Sequence, residues 1–185
     1  NTATLRLLAA ALSGAGKTDE QVKLLERIYE LDPEDPGINN DLGYTWADRG
    51  VNLDKAERMI RKALAHRPNE IAFKDSLAWV LYKKGKPTAA WKVFEQVTDA
   101  DESRLHPVIL DHAADTAWRL GRKADAIRLW TRALKMAEKE RNPDTETKAI
   151  LVGTPRKIAA ARGGGKPKVA ELGEGAQAPE TRPAP

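Results

Sequence analysis

Apolar residues recur along most of this chain at intervals of three and four. Ala56, Met59, Ile60, Ala63 and Leu64 form one such stripe, and Ala126, Leu129, Trp130, Ala133 and Leu134 form another. That spacing follows the 3.6-residue turn of an α-helix, and no run alternates with the period of two that a half-buried strand needs. The pattern predicts helices over 2–14, 18–31, 37–49, 53–66, 70–84, 87–98, 107–120 and 123–140. Beyond Pro143, Thr145 to Val152 reads as a further helix. Thr154-Pro155 then reads as the cap and first turn of a short helix ending at Arg162. Asp54 and Thr88 are candidate N-caps, and Pro87 suits a first turn.

The helices come in pairs. Gly16, Gly50, Gly85 and Gly121 each close the first helix of a pair, at spacings of 34, 35 and 36 residues. Aligned on these glycines, four segments agree. Leu42-Gly43, Leu77-Ala78 and Ala113-Ala114 match in the first helices. Ala56, Ala90 and Ala126, then Ile60, Phe94 and Trp130, then Ala63, Val97 and Ala133 match in the second helices. Pro33 and Pro68 end two of the units. A helix–turn–helix unit of about 34 residues, with small residues where helices cross, resembles the tetratricopeptide repeat. The first unit departs from the pattern with Gln21 in place of the small residue. Units three and four lack the closing proline and use longer joins over 98–106 and 139–143. Unit two carries one extra residue before Ala56.

The resemblance implies an all-α, right-handed α-solenoid of four helix–turn–helix repeats followed by C-terminal capping helices. The expected organisation is a repeat array over 1–142, with repeats at about 2–35, 36–70, 71–105 and 106–140. Capping helices follow over 143–162 and a Gly/Pro-rich basic tail over 163–185. In this family the first helices of the repeats line a concave groove that holds partner proteins. Carried over position by position, the groove residues are Arg6 and Ala10, then Asn40, Tyr44 and Asp48. Repeat three supplies Asp75, Trp79, Tyr82 and Lys83, and repeat four supplies Asp111, Asp115, Trp118 and Arg119. The expected groove is aromatic with a carboxylate-rich floor, suited to Lys/Arg side chains or backbone N–H groups of a ligand. For Tyr44 and Trp79, packing between first helices is an equally good reading. Trp46, Trp91 and Trp130 sit at core positions. One variant of the family clamps a peptide carboxylate with basic residues and Asn; Asn40 fits such a site, but Asp75 and Ala78 stand where the basic pair belongs. The stretches DLGYTWADRGVNLDKAERMIRKAL, DSLAWVLYKKGK and DHAADTAWRLGR are similar to bacterial cell-envelope repeat proteins, including lipoprotein adaptors for periplasmic proteases. This implies the periplasmic side, with the cytoplasm as the alternative.

Composition narrows the function classes. The chain has 185 residues and no cysteine, which excludes disulfides, zinc–thiolate sites and thiol nucleophiles. Charged residues make up 31% and no apolar run approaches a membrane span. The net charge is +4, of which the segment 153–185 carries +3. The body is nearly neutral and shows no basic stripe for nucleic acid. Nine of the 23 residues from Gly163 onward are Gly or Pro, too many to fold alone. That tail is expected to lie on a groove or end surface, its own or a neighbour's, or else to hang loose. A chain that opens on Asn1 without a signal peptide is expected to be processed or a fragment.

Candidate chemistry is sparse. His66, His106 and His112 are the only histidines and read as surface or cap residues; no triad, metal site or cofactor site is expected. The acid pairs Glu34/Asp35 and Asp99/Asp101 read as solvated turn residues. The expected function is a non-enzymatic scaffold or adaptor holding an extended partner segment, a basic peptide or its own tail. The alternative is a self-assembly module forming homo-oligomers by solenoid stacking or tail exchange. Ala11–Thr18 (ALSGAGKT) looks like a loose phosphate-binding loop, yet a helix precedes it where that mechanism needs a strand. The thermal midpoint is therefore expected to be insensitive to ATP and magnesium in both the parent and Lys17→Ala. A nucleotide-dependent rise in the parent that the variant loses would overturn this.

Overall fold

The computed structural model describes residues 2–173 and Ala176. The tail residues 174–175 and 177–185 lie outside the described residues. Four helix pairs run in order: α1 (Thr2–Gly14) with α2 (Thr18–Leu31), α3 (Pro36–Asp48) with α4 (Leu53–His66), α5 (Ile71–Lys83) with α6 (Pro87–Phe94), and α7 (Pro107–Arg119) with α8 (Lys123–Ala137). A short 3-10 turn, Glu102–Arg104, precedes α7, and α9 (Thr145–Arg162) follows α8. Each pair packs on the next, and no strand occurs among the described residues, so the architecture is an all-α solenoid.

The four glycines read as turns do the same job four times. Gly16, Gly50, Gly85 and Gly121 all have φ between 69° and 76°, a left-handed conformation that costs glycine little. In each case the next residue's N–H returns five residues: Lys17 to Leu12, Val51 to Trp46, Lys86 to Leu81, and Arg122 to Ala117, at 2.9–3.0 Å. This bond pattern satisfies loose carbonyls at the helix end and reverses the chain. The reversal brings helices close enough that only small residues fit at the crossing. Ala56, Ala90 and Ala126 are fully buried. A Cβ on Gly43 would stand 2.8 Å from Ile60 Cγ1 and 3.1 Å from the Ala56 carbonyl. The second-helix residues Ile60, Phe94 and Trp130 are likewise fully buried and form the core between layers. Trp46 and Trp91 join it, as expected for core positions.

Local starts and stops differ from the sequence expectation in instructive ways. Asp54 does not cap α4; Asn52 precedes the helix and Asp54 sits in its first turn, ion-paired to Lys84 at 2.6 Å. Thr88 is inside α6, whose first residue is Pro87. The effective caps are Asp35, accepting from Ile38 N at 2.8 Å, His106, accepting from Val108 N at 3.4 Å, and Asp144, accepting from Thr147 N at 2.7 Å. α6 stops at Phe94, not 98: beyond it the backbone tightens, with the Gln96 N–H returning to Val93 and the Val97 N–H to Phe94, and Arg132 of α8 donates to the carbonyls of Thr98 and Ala100 that follow.

The capping region is one helix where two were expected. α9 passes through Pro155 without a break. An interior proline removes one N–H, and tertiary packing compensates: Ile150, Thr154 and Ile158 are buried, and Thr154 Oγ1 donates to Asp111 at 3.0 Å. α9 packs on α8 and α7, and its first turn reaches the opposite end of the array. Thr145 Oγ1 donates to the Gly14 carbonyl at 3.3 Å and Glu146 accepts from Tyr44 at 2.7 Å. The helix thus spans the opening of the superhelix from the last repeat to the first.

Ala90→Leu tests the crossing geometry. Overpacking that site should cost about 1–3 kcal/mol, and at this chain length each kcal/mol lowers the thermal midpoint by roughly 2–4 °C. A variant that melts with the parent would show that the α5–α6 crossing is looser than the full burial of Ala90 implies.

Candidate functional site

The concave face is built from α3, α5 and α7, with α9 and residues 166–173 laid over it. Its most crowded point is Asp115, only 2% exposed. Asp115 Oδ1 accepts from Trp130 Nε1 at 2.9 Å and from Lys157 Nζ at 2.7 Å, and Oδ2 accepts from the Ala170 N–H at 2.7 Å. Asp111, one turn earlier, accepts from Lys157 at 2.9 Å and from Thr154. Burial, then repulsion from Asp111, pushes the Asp115 carboxyl above the usual carboxylate range. Burial alone would lower the Lys157 ammonium, but Asp111 and Asp115 outweigh it and hold Lys157 above an ordinary lysine. Part of the acidic floor expected for capturing a basic ligand is therefore already engaged by the chain's own Lys157, whose one ammonium is shared between Asp111 and Asp115.

The C-terminal edge of the face holds the tail by its main chain. The Ala170 carbonyl accepts from Tyr82 OH and from Arg119 Nη2, the latter at 2.7 Å. Arg119 Nε also donates to Tyr82 OH at 2.9 Å and its guanidinium lies over the Tyr82 ring. Burial pushes the Tyr82 phenol up to about 12, so it remains a donor. Further along, the Gly173 N–H donates to the Lys83 carbonyl at 2.8 Å, one of the carbonyls a helix end leaves free. Pro167 is buried, and Val169, Ala170 and Leu172 pack on the core, whereas Lys168 and Glu171 are exposed. Hydrogen bonds to charged groups contribute about 1.5–3 kcal/mol each, so this edge is a strong main-chain clamp.

The middle of the face is a stack. Trp79, 3% exposed, lies between Tyr82 at 4.9 Å and His112 at 3.7 Å, both nearly parallel to it. Its indole N–H donates to Asp48 at 3.1 Å, and Lys83 Nζ lies 5.2 Å from its ring. Burial pulls the Lys83 ammonium below the lysine range, against the attraction of Asp48. His112 Nδ1 meets Asp75 at 3.1 Å with both side chains buried. Burial opposes the charged imidazole, but Asp75 outweighs it and raises His112 above its ordinary value. Burial also raises the Tyr44 phenol well above normal. Between this floor and a roof of Glu146, Ile150, Lys157 and Val169 lies a cavity of about 640 Å³. A second, also about 640 Å³, opens between α1, α3 and the start of α9, lined by Ala9, Ala10, Tyr44 and Gln21.

The residues expected in the groove divide accordingly. Asp115, Asp111, Tyr82 and Arg119 converge on α9 and the tail. Tyr44 and Asp48 line cavities. Asn40, Asp75, Trp79 and Lys83 are largely buried in the floor, with Trp79 and Asn40 also lining the two cavities. Trp118 packs beside Trp130 at 5.9 Å, with Lys123 over its ring. His112, expected at the surface, is buried. Sequence reading missed Lys157, Thr154, Glu146 and His112 as partners of this face. Lys157 and Thr154 lie three apart on one helix face, but nothing local marks their carboxylate partners more than 40 residues away. His106, Asp144 and Glu146 bring donor atoms within 4.8 Å of one another. Each is already employed: His106 caps α7 and contacts Asp144, and Glu146 holds Tyr44.

Comparison with known proteins agrees with this architecture. No family model matches the chain. A TPR repeat-containing protein of Pseudomonas aeruginosa is 34% identical over 74 residues, covering 40% of this chain. The chain spans only 12% of that relative's length. MamA of AMB-1 superposes with a TM-score of 0.54 at 18% identity, over 88% of this chain and 91% of that one. A thermophilic TPR protein of Thermus thermophilus superposes with a TM-score of 0.50 at 16% identity, over 82% of this chain and 100% of that one. With four glycine-closed helix pairs, alanines at every later crossing and these structural likenesses, the chain has the tetratricopeptide-repeat fold.

Proposed function

We propose that the chain is a protein-interaction scaffold whose concave face holds a non-helical, extended segment of a partner by its main chain. The observation that carries this reading is the Ala170 peptide group. Its N–H and its carbonyl are both taken up by fixed side chains, Asp115 on one side and Tyr82 with Arg119 on the other. Main-chain capture of this kind gives affinity without dictating every side chain, which suits a scaffold. Because Lys157 already occupies one oxygen each of Asp111 and Asp115, and the Ala170 N–H takes the other oxygen of Asp115, the reading favours backbone recognition over selection of a basic partner. The cavity between α1, α3 and α9 provides room for the segment to continue toward the first repeat.

Selection of displayed random peptides against the full chain tests this. Binders are expected, and Arg119→Ala should weaken them at least tenfold, about 1.4 kcal/mol. Arg128→Ala, an exposed change on α8, should leave them unchanged. Binders indifferent to Arg119→Ala would move the site away from the concave face.

A further inference from the structure

The segment that occupies the clamp has a readable pattern. Pro167 is buried, Ala170 presents both main-chain groups, Leu172 packs on the core and Gly173 closes the contact. Position 173 is restrictive. A Cβ there would stand 2.6 Å from Leu53 Cδ1 and 2.9 Å from the Gly50 carbonyl. The second clash is with backbone at the turn between α3 and α4, which cannot swing aside, so only glycine fits. The exposed Lys168 and Glu171 make no ion pair among the described residues, so the segment is held by main-chain bonds and shape, without a charged lock.

The tether is equally telling. α9 ends at Arg162, and Gly163-Gly164-Gly165 follow, with Gly164 at φ 75°. The Gly165 N–H returns to the Ala160 carbonyl at 2.9 Å, the same five-residue bond that closes each repeat turn, so the glycines cap α9 and turn the chain back onto the concave face. Through so short a tether the segment presents itself at an effective concentration on the order of millimolar.

Resting on the groove-scaffold reading, we infer that Pro167–Gly173 is a built-in ligand that regulates the groove. It occupies the clamp in cis and yields to a partner segment of the same chemistry: a small residue at the place of Ala170 and a glycine three positions later. The apparent affinity of any such partner is lowered by the fraction of molecules in which the clamp is occupied.

The experiment keeps the full chain and uses a fluorescein-labelled synthetic peptide of residues 166–176 as probe, read by anisotropy. Gly173→Val in the chain should expel its own segment, so that this variant binds the peptide at least tenfold more tightly than the parent. Ala170→Pro, which deletes the N–H given to Asp115, should do the same by an independent route. A peptide carrying Gly173→Val should bind neither variant. Equal affinity for parent and both variants overturns the inference, as does undiminished binding of the altered peptide. A parent that is dimeric by light scattering and becomes monomeric with Gly173→Val would place the segment in a neighbour's clamp and overturn occupancy in cis. If displayed peptides bind through Arg119 while the 166–176 peptide does not, the scaffold reading stands and this inference alone falls.

Discussion

The left-handed glycine at the end of each repeat's first helix is the constraint on which the rest of this molecule depends. It reverses the chain within three or four residues and satisfies helix-end carbonyls that would otherwise be left exposed or buried without partners. Because the reversal is tight, paired helices must approach closely, and Ala56, Ala90 and Ala126 occupy the crossings. Because the reversal recurs every 34 to 36 residues, every first helix falls on the same side. A concave face built from α3, α5 and α7 is the geometric consequence of four identical local decisions.

That face carries polar groups that no single repeat can satisfy. Asp111 and Asp115 point into a region walled by Trp130 and Tyr82, where an uncompensated charge would be costly. The chain resolves this with its own C-terminal third. Lys157 supplies charge, Thr154 a hydroxyl, and Ala170 a peptide N–H. The same contacts anchor α9 across the opening, and its first turn joins repeat four to repeat one. Capping and groove occupation are thus one structural event. The concave surface is covered in part by the chain's own α9 and residues 166–173.

A line of buried aromatics supports the clamp from beneath. Trp79 is sandwiched between Tyr82 and His112, and His112 is fixed by Asp75. Tyr82 therefore offers its hydroxyl from a rigid ring, which limits the entropy lost when a main chain docks. The stack holds Trp79 and Asp75 in the floor of the face, each with only a small exposed part.

Much of the fold was legible because it is made by interactions a few residues long. A glycine turn, a five-residue hydrogen bond and a 3.6-residue apolar stripe are visible in sequence, so the four repeats and the core tryptophans followed from it. Helix ends were not as legible: α6 gives way after Phe94 to tighter backbone turns, and the Thr98 carbonyl beyond them is taken up by Arg132 from 34 residues away. Nor was the continuity of α9 through Pro155, since only burial of Ile150 and Ile158 against α7 and α8 compensates for the missing N–H. Of the site, the sequence by itself determined the repeat register that puts Asp75, Tyr82, Asp111, Asp115 and Arg119 on first helices, because register is local. Only the tertiary structure decided which of them meet α9 and the tail, and that Trp118 packs beside Trp130. Those roles depend on residues such as Lys157, Ala170 and Gly173, brought from distant parts of the chain by packing, and no local pattern records such encounters.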